Sequence, residues 1–422
     1  MTTAHHATPG PADRTEASSK SSESSESPES PESSESSKSS ESSGRAVPAG
    51  TLRYRWAVDV SAWEPSEAEF SWACSTLILE DEVVQVNKYK FQEDRKRALV
   101  SLVLQRTAGV KYWAYRAAGV DGVDGVDGLN GVGIDSCIRA LEDVSLGKTK
   151  GRKPYIVKNA GGEGVTVEAG RATAVGNADN FNYNVSHDGR FVVLASELYC
   201  LCGCDVSAAG SVLGKVGRGP AGGSESGMDG LRHTLKSFEK QLTEREWDAV
   251  YGKDREGHGE GHGEGHGDCK VEERVNAVAR RFAKFWSLKE AYVKAIGLGL
   301  GYDLGRLEFE VLEGGRAKGD LSVALVSIDG ALSEDWCCYL QSLGDDGDHW
   351  VSVARGPVGD VVDALGGFTQ SFGLRDMGRD MLNRVVFQER EPSFLELRFD
   401  QLIRMGYGDA VHRTWSERFG GG

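Results

Sequence analysis

The run Phe285-Trp286-Ser287-Leu288-Lys289-Glu290-Ala291-Tyr292-Val293-Lys294 spaces Trp286, Glu290 and Lys294 four residues apart. On a helix these three side chains lie along one face. A carboxylate and an ammonium so placed can move a proton and neutralise a phosphate, or simply form an i,i+4 salt bridge. A second run, Asn184-Val185-Ser186-His187-Asp188-Gly189, sets Asn184, Ser186 and His187 beside a turn, three groups able to donate to phosphate oxygens. The plainer alternative is a polar loop. In Cys202-Gly203-Cys204-Asp205-Val206-Ser207 the first carboxylate after an apolar strand is Asp205, with Ser207 on its side of the strand. Gly203 there would let a ligand approach closely, and a turn-forming Asp is the alternative. None of the three runs fixes a chemistry alone.

The elements that must carry them follow from periodicity. Trp56, Val58, Val60 and Trp63 alternate as a strand begins near Leu52, and Val83 to Thr107 changes to helical spacing. Phe191 to Ala195 and Tyr199 to Val206 read as a hairpin turning at Ser196-Glu197, with Cys200, Cys202 and Cys204 on one face as small buried thiols. Leu235 to Tyr251 is helical, as is Val271 to Ile296, which Gly297 ends. Leu307 to Leu312, Leu321 to Ile328, Trp336 to Leu343 and Trp350 to Arg355 then follow as four strands with no helix between them, which predicts antiparallel pairing.

The 422 residues do not all fold into this body. From Ser18 to Ser43 the chain has no aromatic or aliphatic side chain, so residues 1–50 read as a disordered Ser/Glu-rich tail, with a phosphorylation platform as the alternative. Val120 to Gly133 repeats Val-Asp-Gly, and Gly257 to Asp268 repeats Gly-His-Gly-Glu; both read as inserts. The tail holds four Lys/Arg and eight Asp/Glu, so of the net charge of −15 the body keeps −11. An acidic body argues against non-specific nucleic-acid binding, and no apolar run reaches the length of a membrane span. Eight dispersed cysteines without an apolar, cleavable leader point to a reducing compartment.

Taken in order, Asn-x-Ser-His, Gly-x-Asp and Trp-x-x-Lys-Glu-x-x-x-Lys resemble the Sfp-type 4′-phosphopantetheinyl transferases. The resemblance is nearest to the eukaryotic aminoadipate-semialdehyde dehydrogenase phosphopantetheinyl transferase group and extends over most of residues 53–355. It takes in Arg55-Trp56, Lys88 to Arg106, Lys153-Pro154, Asn180-Phe181-Asn182, Leu242 to Trp247 and Ala295 to Phe309.

The resemblance implies an α+β molecule of two similar α/β halves related by a pseudo-twofold axis, residues 51–206 and 207–355; beyond its reach lies an extension at 356–422, in which Phe387 to Met405 reads from the sequence as a strand and helix packed on the body. It implies transfer of 4′-phosphopantetheine from coenzyme A to a serine of an apo-acyl or peptidyl carrier protein, with Mg²⁺ as cofactor, by a cytosolic monomer. Asp205 and Glu290 would hold the metal, Glu290 would take the serine proton, and Lys294 would meet the transferred phosphate. Lys289 would be a structural partner of its helix. Asn184, Val185, Ser186, His187 and the stretch Lys148, Thr149, Lys150, Gly151, Arg152, Lys153 would hold coenzyme A, with Lys88 substituting for a phosphate-binding Arg usual where Gln85 stands. Two rival readings are a non-catalytic carrier-binding relative and a metal-binding protein using His258, His262, His266 and the cysteine strand.

Overall fold

The computed structural model describes residues 52–118, 143–157, 180–216, 227–252, 267–312, 320–373 and 390–420. The tail, the Val-Asp-Gly insert and nearly all of the Gly-His-Gly-Glu insert lie outside them.

Strand β1 (Arg55–Asp59) is buried on both faces, because its sheet lies between two layers. Trp56 and Val58 point into a helical layer, while Ala57 points the other way into a second sheet. This first sheet runs β12-β1-β5-β4, with β4 at Asn182–Asp188, β5 at Phe191–Glu197 and β12 at Leu395–Leu397. The second runs β6-β11-β10-β8-β7, from Leu201–Ala208 through His349–Gly356, Cys337–Leu343 and Ser322–Ile328 to Leu307–Leu312, with short β9 (Ala331–Leu332) on β8. Every pairing within it is antiparallel, as expected. Ala57, Phe191, Val193 and Ala195 of the first sheet face Cys202, Cys204, Val206 and Val353 of the second, so the cysteines are indeed buried thiols.

The hairpin expected over 191–206 is replaced by one formed from β4 and β5, which turns at Gly189-Arg190. Ser196 and Glu197 are not a turn but the last rungs of β5, opposite Tyr183 and Asn182. The chain then crosses to the other sheet, where β6 pairs with β11. Glu197 cannot turn outward to solvent because it is enclosed by Arg355, Arg55 and Arg53 at 2.9, 2.5 and 3.2 Å. Burial works to raise its pKa, yet these guanidiniums hold it down to about 2.

On the outer face of the first sheet lie α1 (Glu67–Leu77), α2 (Glu80–Val86) and α3 (Gln92–Ala118). The helix expected over 83–107 is thus two, because Asn87 ends α2 and accepts from Arg95 at 3.0 Å, leaving Phe91 exposed. The second sheet is backed by α7 (Gly267–Ile296), around which pack α4 (Ala209–Leu213), α5 (Gly227–Leu235) and α6 (Glu244–Tyr251). The helix expected over 235–251 is also broken. Thr243 caps α6 by accepting from Glu246 N, and the Glu246 carboxylate accepts in return from Thr243 N.

The C-terminal segment follows the second sheet in sequence but completes the first. Strand β12 pairs parallel to β1, and α8 (Phe399–Phe419) buries Leu402, Ile403 and Tyr407 against the α1 and α3 layer. The expected strand and helix are therefore present, displaced toward the C-terminus. Glu391, just before β12, is buried against Arg55 and Arg355, which ties the segment to both sheets. The boundary expected at 206/207 falls inside β6, a strand of the second sheet.

Where the two sheets meet, β4 and β6 are joined by side chains. Asn182 Oδ1 accepts from Cys202 N at 2.9 Å, Asn184 Oδ1 from Cys204 N at 3.1 Å, and Asp188 Oδ2 from Ala208 N at 2.7 Å. Asn182 also donates to the carbonyls of Asn180 and Cys200. The same joint is fastened by Lys153, whose buried ammonium donates to Cys202 O at 2.5 Å and Lys294 O at 3.3 Å.

Asn182→Ala leaves one buried N–H and two carbonyls without these bonds and should cost roughly 2–4 kcal/mol in urea unfolding; a loss under about 1 kcal/mol would show that water replaces the amide. Burial lowers the Lys153 pKa to about 8 from 10.5. Between these values the unfolded lysine keeps a proton that the folded one has lost, so stability from this group rises with pH. Against Lys153→Met, which has no such proton, the parent should gain about 2 kcal/mol of relative stability from pH 8 to 10. A difference that stays flat contradicts the burial of this cation.

Candidate active site

Four side chains from three elements converge at the joint. Asp205 projects from β6 toward α7, is 5% exposed, and its Oδ1 accepts from Ser186 Oγ of β4 at 2.8 Å and from Lys294 Nζ of α7 at 2.5 Å. Lys294 Nζ also donates to Ser186 Oγ at 2.8 Å. Glu290, one turn earlier on α7, lines the same cleft. The close fit depends on Gly203, where a Cβ would lie 2.1 Å from Ala291 O of α7. The space that Gly203 gives is therefore taken by the helix, not by a ligand, and it presses β6 onto α7 so that Asp205 meets Lys294.

The simple Glu290–Lys294 salt bridge does not form, because Lys294 turns to the buried Asp205 instead. Among the described residues Glu290 has no hydrogen-bond or ion-pair partner. Burial raises the Glu290 pKa, the nearby Asp205 charge raises it further, and Lys294 opposes both. Burial likewise lifts Asp205 above the ordinary carboxylate range against the pull of Lys294. For Lys294 burial acts downward, but Asp205 outweighs it and the net shift is upward. Asp205 Oδ2 carries no hydrogen bond among the described residues.

The cleft has a volume of about 270 Å³. One wall is α3, through Ser101 and Gln105; another is β4, through Asn184 and Val185; the rim is the turn between β2 (Leu146–Lys148) and β3 (Pro154–Ile156). Gly151 packs that turn on the end of α7, where a Cβ would meet Gly297 O at 1.8 Å. Lys148, Arg152 and Lys153 all line the cleft, but in different ways. Lys148 and Arg152 are exposed, whereas Lys153 is spent on carbonyls as above. Thr149 is buried and builds the turn, its Oγ1 accepting from Lys153 N at 3.0 Å. Lys150 and Lys88 are exposed and do not line the cleft.

His187 lies on the face of β4 opposite Ser186, with Val185, and is exposed at its edge. Partial desolvation, then the cations Arg97 and Lys294, lower its pKa from 6.5. Sequence reading missed Ser101 and Gln105. The available signal was two polar residues four apart on an otherwise apolar face of α3; here Gln105 accepts from Tyr183 Oη at 3.3 Å and donates to Ser101. Lys289 is the structural partner expected: fully buried, it pairs with Glu246 at 2.7 Å and donates to Leu304 O and Leu307 O. Burial pushes its pKa down and that of Glu246 up, each opposed by the other's charge.

Residues 226–354 match the family model of the 4′-phosphopantetheinyl transferase superfamily, and residues 61–121 match that of the 4′-phosphopantetheinyl transferase N-terminal domain. The chain is 27% identical to a phosphopantetheinyl transferase of Thraustochytrium over 303 residues, 71% of this chain and 77% of that protein. It is 22% identical over 354 residues to the L-aminoadipate-semialdehyde dehydrogenase-phosphopantetheinyl transferase of Xenopus laevis, 81% of this chain and 89% of that protein. With the human protein of the same description it shares 24% over 308 residues, 71% of this chain and 74% of that protein. The two matched segments carry, between them, the helix wall of the cleft and the helix bearing Glu290 and Lys294, so it is in the domains that build the cleft that the chain is similar to the 4′-phosphopantetheinyl transferase superfamily.

Proposed function

We propose that this phosphopantetheinyl transferase binds coenzyme A in the cleft, with Mg²⁺ between Asp205 and Glu290, and modifies a serine of apo-acyl, peptidyl or aminoadipate-type carrier domains. The observation that carries this reading is the pair of carboxyl groups at the joint. Burial raises the pKa of both, the Asp205 charge raises that of Glu290 further, Asp205 keeps Oδ2 open, and Glu290 is unpartnered, which is the donor set a hard divalent cation fits. Among the described residues no group of three or more His, Cys, Asp or Glu could hold a metal, so ligand oxygens and water would complete the coordination. When bound, Mg²⁺ supplies positive charge at the pyrophosphate.

The chain's own residues then have distinct tasks. Lys294, held by Asp205 and Ser186, presents its ammonium to the transferred phosphate. Glu290, with a raised pKa, takes the proton of the carrier serine as its oxygen attacks phosphorus and the bond to the adenosine-side phosphate breaks. The leaving group is adenosine 3′,5′-bisphosphate. Lys148 and His187 would meet the nucleotide end. A pseudo-twofold relation of the halves is supported by the repeated plan of a sheet backed by one long helix, α3 and α7. Free buried cysteines fit the cytosol, and among the described residues no helix is long and apolar enough to cross a membrane.

With coenzyme A, Mg²⁺ and a panel of apo-carrier proteins, the parent should add one phosphopantetheine to a carrier by mass spectrometry. Glu290→Gln and Asp205→Ala should each lose at least about a hundredfold in kcat while melting as cooperatively as the parent. Lys88→Ala, outside the cleft lining, should stay within about twofold. A folded Glu290→Gln that works at close to the parent rate rules out the mechanism.

A further inference from the structure

Ser101 and Gln105 line the cleft from α3, one helical turn apart, and the fold accounts for only one of them. Tyr183 of β4 is fully buried, and burial raises its pKa, so its phenol keeps its proton and needs an acceptor. Gln105 Oε1 is that acceptor, at 3.3 Å. The amide is thereby turned so that Nε2 faces Ser101, donating to its carbonyl at 3.1 Å and to its hydroxyl oxygen at 3.3 Å. A serine inside a helix commonly donates its own proton to the carbonyl one turn back. For Ser101 that carbonyl belongs to Arg97, and the bond is not made. The half-buried hydroxyl thus accepts from Gln105 while its proton has no acceptor among the described residues.

The chemistry of this wall selects what that proton meets. The cations lining the cleft stand on other elements, Lys148, Arg152 and Lys153 on β2, β3 and their turn and Lys294 on α7, whereas α3 contributes only two uncharged groups and β4 adds the apolar Val185. Phosphates are held better by the cations than by a lone hydroxyl. An adenine edge presents a donor beside an acceptor and suits a side-chain amide, but the Gln105 amide is already spent on Tyr183 and Ser101. One free donor beside an apolar side chain matches a chain of methylenes interrupted by amide carbonyls. We infer that Ser101 is a specificity-determining residue that donates its hydroxyl proton to an amide carbonyl of the pantetheine arm of coenzyme A. Gln105 holds the oxygen and leaves the proton to the ligand, and each bond in the series from Tyr183 polarises the next. This rests on the reading of the cleft as the coenzyme A site.

The test is isothermal titration of the full-length protein and of Ser101→Ala with coenzyme A and with adenosine 3′,5′-bisphosphate, which lacks the pantetheine arm, beside thermal melts of both proteins. Alanine favours the helix and leaves Gln105 its bond to the carbonyl of residue 101, so Ser101→Ala should melt at or above the parent temperature. It should bind coenzyme A about fivefold to tenfold more weakly, the loss of one hydrogen bond, and the bisphosphate within about twofold of the parent. An equal loss with both ligands places the contact on the nucleotide and overturns the inference. So does unchanged affinity for coenzyme A, or a loss that comes only with a lowered melting temperature; in each of these cases the reading of the cleft stands. A parent that takes up no coenzyme A overturns both.

Discussion

The structure depends on how β4 and β6 meet. They belong to different sheets and do not share a backbone ladder, so β4 supplies side-chain oxygens instead: Asn182, Asn184 and Asp188 accept from Cys202, Cys204 and Ala208, each twenty residues on. At Ser186 the pattern changes. Its hydroxyl goes to the carboxylate of Asp205, not to the next strand N–H. One rung of a structural joint is thereby replaced by the group on which the site is built. Because the other rungs hold β6 against β4 on both sides of it, Asp205 has little freedom to turn away from α7.

Burying that carboxylate is costly, and the surrounding charges show how the cost is met. Lys294 satisfies Asp205, so Glu290 is left as the unpaired acid facing the cleft. Deeper in, the Arg55, Arg355, Glu197 and Glu391 cluster links both sheets to the C-terminal segment, each ion having partners of opposite sign. Lys153 is the exception: its ammonium donates to carbonyl oxygens at the joint, and burial lowers its pKa. An acidic chain thus keeps exposed cations, Lys148 and Arg152, at the rim of the cleft while Lys153 serves the fold.

Much of this was legible in the sequence, and the failures have physical causes. The four strands from Leu307 onward and α7 carry uninterrupted apolar periodicity, and each formed close to its expected bounds. Strand β4 was hidden because one of its faces bonds to β6 and so reads as the polar run Asn182, Asn184, Ser186, Asp188. The mistaken hairpin has the same origin, since β5 and β6 are both apolar and nothing local reveals that they pair in different sheets. Glu290, Lys294 and Asp205 were found by type and order, and the structure brings them together. That Lys294 pairs with Asp205, and that Gly203 serves the helix, depends on long-range packing that no local spacing encodes.

The most direct measurement is a crystal structure of the protein with coenzyme A and Mn²⁺ in place of Mg²⁺, using the anomalous signal to locate the metal. One peak should lie between the carboxylates of Asp205 and Glu290, touching pyrophosphate oxygens, with Lys294 on the phosphate to be transferred. Coenzyme A seated elsewhere, or a metal bound without either carboxylate, would contradict a site built on this joint.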